Sequence, residues 1–359
     1  MFKIAFILPN LLTGGSQRVV LNLIDEFYRM GHNVTLIVIN KEENVYSGYR
    51  EDGVNNIERS EAYEYINLGC SRVIKGLFPL RRELLNNGYT HCISTLTYMN
   101  IIASASLYFS RNRPKFYIRE SNLISERFSG NFLFRLAIRL TYNKADGIIC
   151  QSNAMLNDMS KYTHTKARVI YNPVNSNALL KKSTTNWRIN KNDFNIVMLG
   201  HMTYQKNYLL ALSTLELLED DFILHIIGRK LELQEFLFQL AKRGLENRVK
   251  LYGFQENPHE IMSQCDIFLM TSRYEGLPNA LLEAGVLGLP IVTTKFFEGL
   301  ADLLPSYGTT IVDSSSPEVI ADAVVKVQEA NLNRSNISNV YTTQFSVQNI
   351  LREYLNFFE

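Results

Sequence analysis

Thr271-Ser272-Arg273-Tyr274-Glu275-Gly276-Leu277-Pro278-Asn279-Ala280-Leu281-Leu282-Glu283-Ala284 follows directly on the apolar run Ile267-Phe268-Leu269-Met270. That run reads as a strand buried on both faces, because nothing polar interrupts it. The polar loop after it contains Gly276, and Pro278 falls in the first turn of the next helix, where a missing N–H costs nothing. Strand, short loop and helix in that order aim the positive end of the helix at the space above the strand, which suits a phosphate. Glu275 and Glu283 bracket the turn with seven residues between them. On one helix such a pair would stand about 80° apart at 3.6 residues per turn, so the two need not serve one centre. Glu275 reads as a loop residue facing a ligand, and Glu283 as a helix residue about one turn deeper.

The same unit of strand, loop and helix recurs upstream. Asn195-Ile196-Val197-Met198-Leu199 leads into Gly200-His201-Met202-Thr203-Tyr204-Gln205-Lys206-Asn207, and further strands are expected from Phe222 to Ile227 and from Leu289 to Thr294. In the first half, a strand from Ile4 to Leu8 precedes helical spacing from Gln17 to Met30, with Val20, Leu21, Leu23, Ile24 and Phe27 on one face. Gly31-His32-Asn33 stops that helix, and Val34 to Ile39 is a second apolar strand. Others are expected at His91 to Ser94, Phe116 to Arg119 and Gly147 to Gln151. This alternation predicts doubly wound α/β domains with ligands at the carboxyl ends of the strands. Asn172-Pro173 biases the chain away from helix, and the polar stretch from Ser176 to Asp193 reads as a linker. The expected division is 1–175, 176–345, and a final helical segment, 346–359.

Composition agrees with two domains and removes several classes. The chain has 359 residues, 46% hydrophobic and 20% charged, with a formal net charge of +2, so nothing global calls for nucleic acid. Cys70, Cys92, Cys150 and Cys265 are scattered without Cys-x-x-Cys or zinc-type spacing, which fits reduced thiols in a cytoplasmic protein. No stretch approaches the ~20 apolar residues that span a bilayer. Phe2 to Pro9 is short and lacks a small-residue cleavage site, so it reads as a first strand and not as a secretion signal.

Leu11-Leu12-Thr13-Gly14-Gly15-Ser16-Gln17-Arg18 joins the first strand to the first helix. It is no Gly-x-Gly-x-x-Gly fingerprint, and the second strand ends in Asn40 instead of an acid, which excludes a dinucleotide-dependent dehydrogenase. Gly14 and Gly15 still allow close backbone approach to a ligand. Tyr117-Ile118-Arg119-Glu120-Ser121-Asn122 leaves a strand and is expected to project into the same space. Two stretches, from Ser71 to Leu85 and from Arg127 to Arg139, mix basic with apolar residues. Such a pattern fits contact with an anionic membrane surface, and it equally fits a helix that covers a core with a solvated charged face.

The string from Ser272 to Pro290, with Glu-x7-Glu around Glu-Gly-x-Pro-Asn, resembles the donor signature of family 4 retaining glycosyltransferases. The resemblance covers nearly the whole chain and is strongest from Lys250 to Thr294. It implies the GT-B fold: two facing Rossmann-like domains, a cleft between them, and a last helix returning to the first. It further implies that Glu275 contacts the donor sugar, that Glu283 holds the ribose, and that Gly276, Leu277, Pro278 and Asn279 line the donor site. The family's diphosphate grip is a Gly-Arg with a lysine five residues on; Lys206 matches the lysine, and His201 stands where the arginine would be. Gly14, Gly15, Arg119, Glu120, Ser121 and Asn122 fall in the acceptor half, with Ser121 in place of the histidine many relatives carry.

The implied activity is metal-independent transfer of a hexose or N-acetylhexosamine from a UDP-sugar to a glycan, lipid-linked or free, of a bacterial capsule, O-antigen or exopolysaccharide. The implied setting is the cytoplasm, peripheral to the membrane, with no cofactor. Absence of an Asp-x-Asp motif agrees with metal independence. Two alternatives stand beside that activity: a sugar-nucleotide epimerase of the same fold, and a nucleotide-sugar-binding partner without catalysis, to which the departures at His201 and Ser121 point.

Overall fold

Strands that are apolar throughout must be covered on both faces, and the chain meets that demand twice. A computed structural model describes residues 1–11, 15–40, 63–182, 188–229 and 232–359. They divide into unit 1, Met1–Pro173 with Val347–Glu359, and unit 2, Val174–Ser346.

Unit 1 begins with β1 (Lys3–Leu8), α1 (Gly15–Arg29), β2 (Asn33–Asn40), β3 (Glu64–Cys70), α2 (Leu77–Asn86), β4 (His91–Thr95) and α3 (Thr97–Leu107). It continues through β5 (Lys115–Arg119), α4 (Ile124–Arg127), α5 (Phe132–Tyr142), β6 (Gly147–Cys150), α6 (Asn153–Met159) and β7 (Ala167–Val169). Unit 2 contains α7 (Ser176–Lys182), β8 (Phe194–Leu199), α8 (Tyr208–Glu216), β9 (Phe222–Ile227), α9 (Leu233–Lys242), β10 (Val249–Gly253) and α10 (His259–Met262). It ends with β11 (Ile267–Met270), α11 (Asn279–Val286), β12 (Ile291–Thr294), α12 (Leu300–Leu303), β13 (Thr309–Val312), α13 (Pro317–Ala330) and α14 (Arg334–Gln344). α15 (Val347–Phe358) then returns the chain to unit 1.

Every strand pairing in both sheets is parallel. The orders are β3-β2-β1-β4-β5-β6-β7 and β10-β9-β8-β11-β12-β13. The pleat sorts side chains between layers: Ile4, Phe6 and Leu8 pack with α1 and α15, while Ala5 and Ile7 pack with α2, α3 and α5. In α15, Phe358 stacks on Phe27, and its carbonyl accepts from Lys115 Nζ at 2.6 Å and from the Tyr117 hydroxyl at 3.2 Å. Gly147 makes room for α15, since a Cβ there would stand 2.6 Å from the Phe357 ring.

The structure adds elements that the pattern of apolar runs does not announce. β3 is a half-exposed edge strand and β7 only three residues long, so neither has a buried run. The start of the expected linker is α7, which packs on α10 and α11; residues 183–187 lie outside the described set.

His225 of β9 is buried in unit 2, with Nδ1 2.9 Å from the Tyr252 hydroxyl and Nε2 2.9 Å from Asn195 Oδ1. The tyrosine donates and the amide oxygen accepts, an arrangement for neutral imidazole. Burial, then nearby Lys250, pushes its pKa from 6.5 down to about 4. Below pH 6.5 the unfolded chain takes a proton that the folded chain refuses, so stability falls as pH drops from 6.5 towards about 4. His225→Gln should flatten this part of the pH dependence of thermal unfolding followed by circular dichroism, a difference on the order of 2–3 kcal/mol at the acid end.

Candidate active site

In unit 2 strand order breaks between β8 and β11, whose neighbours on the far sides are β9 and β12. Loops leaving the carboxyl ends at such a break lie side by side with no crossover helix between them. Here these are the loops after β8 and after β11, and hydrogen bonds join them. The Arg273 N–H donates to the Gln205 carbonyl at 2.8 Å, and the Gln205 amide to the Tyr274 carbonyl at 2.9 Å. The Thr271 hydroxyl reaches the carbonyls of Lys206 and Asn207 at 3.1 and 3.0 Å. Arg273 donates to Asn207 Oδ1 at 2.9 Å while its guanidinium lies over the Tyr204 ring.

On that platform Lys206 Nζ stands 2.7 Å from Glu275 Oε1, with the side chains 19% and 10% exposed. The same oxygen accepts from Ser272 Oγ at 3.1 Å, so the carboxylate is oriented by two donors and still reached by solvent. Glu275 leads through buried Gly276, Leu277 and Pro278 into α11, whose positive end lies within the same turn. Pro278 sits one position earlier than the sequence suggests: its backbone is extended and it caps α11.

Two glycines allow this packing. Gly200 has φ +153°, and a Cβ there would come 3.0 Å from Lys206 Cε. Gly228, φ +151°, lies so close that a Cβ would stand 1.9 Å from the Gly200 carbonyl oxygen. His201 Nδ1 accepts from the Arg229 N–H at 3.3 Å, which leaves the proton of neutral imidazole on Nε2 as a donor. Glu283 is buried in α11 and meets His259 Nε2 at 3.0 Å; His259 is itself fully buried. Lys206, Glu275, Gly276, Leu277 and Pro278 thus share one pair of joined loops, Asn279 opens α11 directly after them, His201 borders the loops beside Gly200, and Glu283 lies one helical turn on.

In unit 1, Ser16 Oγ donates to Ser121 Oγ at 3.1 Å, which brings the start of α1 to the loop after β5. Gly15 opens α1, Asn122 is half-buried in the second loop, and Gly14 lies outside the described residues. Leu96, between β4 and α3, holds φ +79°, a strained conformation for leucine at the break between β1 and β4.

Arg119 and Glu120 do not project as expected. The Glu120 N–H still bonds the Ile149 carbonyl at 3.0 Å, so strand geometry runs one residue further and sends the two side chains into the opposite buried layers of unit 1. Glu120 accepts from the Thr97 and Tyr142 hydroxyls, each at 2.7 Å, and from Asn100. Burial raises its carboxyl pKa against those donors. Arg119 is equally buried and donates to Asn172 Oδ1. Both are interior supports of the Ser121 loop.

Comparison with known proteins places these two loop systems in a family. Residues 13–178 match the family described as Glycosyltransferase Family 4, and residues 181–341 match Glycosyl transferases group 1. The chain is a glycosyltransferase, its first half matching the family 4 model and its second half the group 1 model. It is 26% identical over 310 residues to N-acetylgalactosamine-N,N'-diacetylbacillosaminyl-diphospho-undecaprenol 4-alpha-N-acetylgalactosaminyltransferase of Campylobacter jejuni, covering 84% of this chain and 83% of that one. It is 27% identical to the O-antigen biosynthesis glycosyltransferase WclY of Escherichia coli, over 53% of this chain and 55% of that one. Among solved structures, Anabaena HepE in complex with UDP and glucose superposes with a TM-score of 0.81 at 17% identity, covering 99% of each chain. The architecture of this glycosyltransferase is therefore of the GT-B class, two parallel-sheet α/β units.

Ser272, Thr271, Gln205 and His259 belong to the site and were not singled out by sequence reasoning. Ser272 stands three residues before Glu275, a spacing that allows a loop hydroxyl to reach the carboxylate, but His259 has no local signal because its partner lies 24 residues away. Among the described residues no three His, Cys, Asp or Glu side chains gather as a metal site, and no helix is long and apolar enough to cross a membrane.

Gly228→Ala should force the Gly200–His201 backbone aside. We expect unit 2 to lose about 2–4 kcal/mol in denaturant unfolding, and nucleotide affinity measured by calorimetry to fall more steeply than for a surface Gly→Ala control such as Gly244→Ala.

Proposed function

We propose that this glycosyltransferase moves a hexose or N-acetylhexosamine from a UDP-sugar, with retained configuration and without a metal ion, to a lipid-linked glycan of a bacterial surface polysaccharide. The observation that carries the reading is the Lys206–Glu275 pair, 2.7 Å apart on two loops that lead into α8 and α11. Support for the donor comes from HepE, whose structure holds UDP and glucose, and for the acceptor from the Campylobacter relative, named for a diphospho-undecaprenol glycan. Such acceptors lie at the cytoplasmic face of a membrane, where we place the enzyme as a peripheral protein.

The chemistry follows from charge. As the bond between the anomeric carbon and the diphosphate oxygen breaks, negative charge collects on the diphosphate and positive charge on the sugar. In the proposed complex Lys206, the start of α11 and the Nε2–H of His201 meet the first; Glu275 meets the second. The acceptor hydroxyl forms its bond on the face the diphosphate leaves and passes its proton to the departing phosphate oxygen. No separate base is then required, which accommodates Ser121 where relatives carry histidine. Glu283, held by His259, is assigned to the ribose hydroxyls.

A panel of UDP-sugars, scored for UDP release with and without a membrane-glycolipid extract, tests this reading. Glu275→Ala and Lys206→Met should each lower kcat on the order of a hundredfold or more, whereas Arg273→Lys should lose far less. Near-normal transfer by Glu275→Ala would falsify the assignment.

A further inference from the structure

The two faces of the unit 1 sheet are finished differently. On one, α15 buries Val347, Ile350, Leu351, Tyr354, Phe357 and Phe358. On the other, α2, α3 and α5 lie side by side over the second apolar layer, and large side chains on their outer surface remain in solvent. Phe78 is 77% exposed, Leu133 74%, Ile74 68% and Phe132 67%. α5 is apolar on both sides: Ile138 and Tyr142 face the core, while Phe132, Leu133, Leu136 and Leu140 make an outward stripe. Several large apolar side chains exposed on adjoining helices mark a contact with something.

Its charges say with what. Arg72, Lys75 and Arg82 are exposed beside Ile74 and Phe78, and Arg127 and Arg139 flank the α5 stripe. No acidic residue occurs between Arg127 and Tyr142. Glu83, the acid of α2, is occupied by Asn87 and Tyr89. A two-fold contact with a second copy would bring cation against cation, since an isologous interface pairs a patch with itself. An anionic lipid surface meets both the cations and the apolar stripe.

The face also adjoins the place where Ser16 meets Ser121. In a parallel sheet helices start at the carboxyl ends of strands. Tyr98 in the first turn of α3 meets Phe134 of α5 at 4.6 Å between ring centroids, and Phe134 stacks on Phe128 at 4.7 Å. The apolar surface therefore runs up to the sheet edge that carries the Ser121 loop.

We propose that the α2–α3–α5 face rests on an anionic bilayer, with Ile74, Phe78, Phe132 and Leu133 at the headgroup–acyl boundary and the arginines on lipid phosphates. This deepens the reading of a membrane-borne acceptor and rests on it only for what the bilayer carries. The test is flotation of the full-length protein with vesicles of phosphatidylcholine alone or mixed with phosphatidylglycerol, beside its sedimentation without lipid. We expect the protein to float with the anionic vesicles only and to be released by salt. Phe78→Ser/Leu133→Ser and Arg72→Glu/Lys75→Glu should each weaken partitioning roughly tenfold or more, with unfolding midpoints unchanged. Failure to float with anionic vesicles, equal floating with neutral ones, or a dimer that the same substitutions dissociate would each overturn the proposal. Neither donor nor acceptor enters the assay, so absent lipid binding and absent sugar transfer are separate failures.

Discussion

A parallel sheet ends all its strands at one edge, and where strand order breaks no crossover connection fills the space between the exit loops. In unit 2 this constraint sets β8 against β11 in register, Val197 opposite Phe268, and so fixes where their loops emerge. The hydrogen bonds from Thr271 and Arg273 and the meeting of Lys206 with Glu275 all follow from that adjacency, while the close approach of Gly200 and Gly228 follows from β9 on the other side of β8. Swapping either strand to another position would separate the lysine from the carboxylate whatever their local conformation.

The pair that results is suited to bond cleavage that separates charge. A lysine and a glutamate held together before a ligand arrives neutralise one another, so neither is left as a lone charge in a half-buried place. Ser272 donates to the same carboxylate oxygen, and the Cβ-free Gly200 lets the lysine stem lie close to the backbone. A ligand with a diphosphate and a sugar offers each member a new partner without either side chain having to travel far.

Unit 1 solves a different problem. Its loop at Ser121 stands on a buried polar group, Glu120, satisfied by Thr97, Asn100 and Tyr142, and on Arg119 packed beneath Asn172. Buried charges of this kind specify a loop conformation more than they stabilise a fold. The helices that supply those hydroxyls are α3 and α5, the same two that carry part of the exposed apolar face. Loop support and surface are thus built from opposite sides of the same elements.

Much was legible in the residues alone. Ile267 to Met270 could only be a covered strand, and Glu275 and Glu283 fall in loop and helix as the glycine and proline between them dictate. The glycine loop after β8 showed itself because it repeats the strand–loop–helix unit, whereas Lys206 was picked out only through the family resemblance. The edge strands β3 and β7 were not legible, since half-exposed or three-residue strands carry no long apolar run. Nor was the burial of Arg119 and Glu120, because the groups that receive them, Asn172, Thr97, Asn100 and Tyr142, stand on other elements of the chain. Periodicity and turn chemistry are local, and they determined the elements and most of the loops. Which loops touch, that His259 meets Glu283 and Ser16 meets Ser121, was decided by strand order, a long-range property that no window of sequence contains.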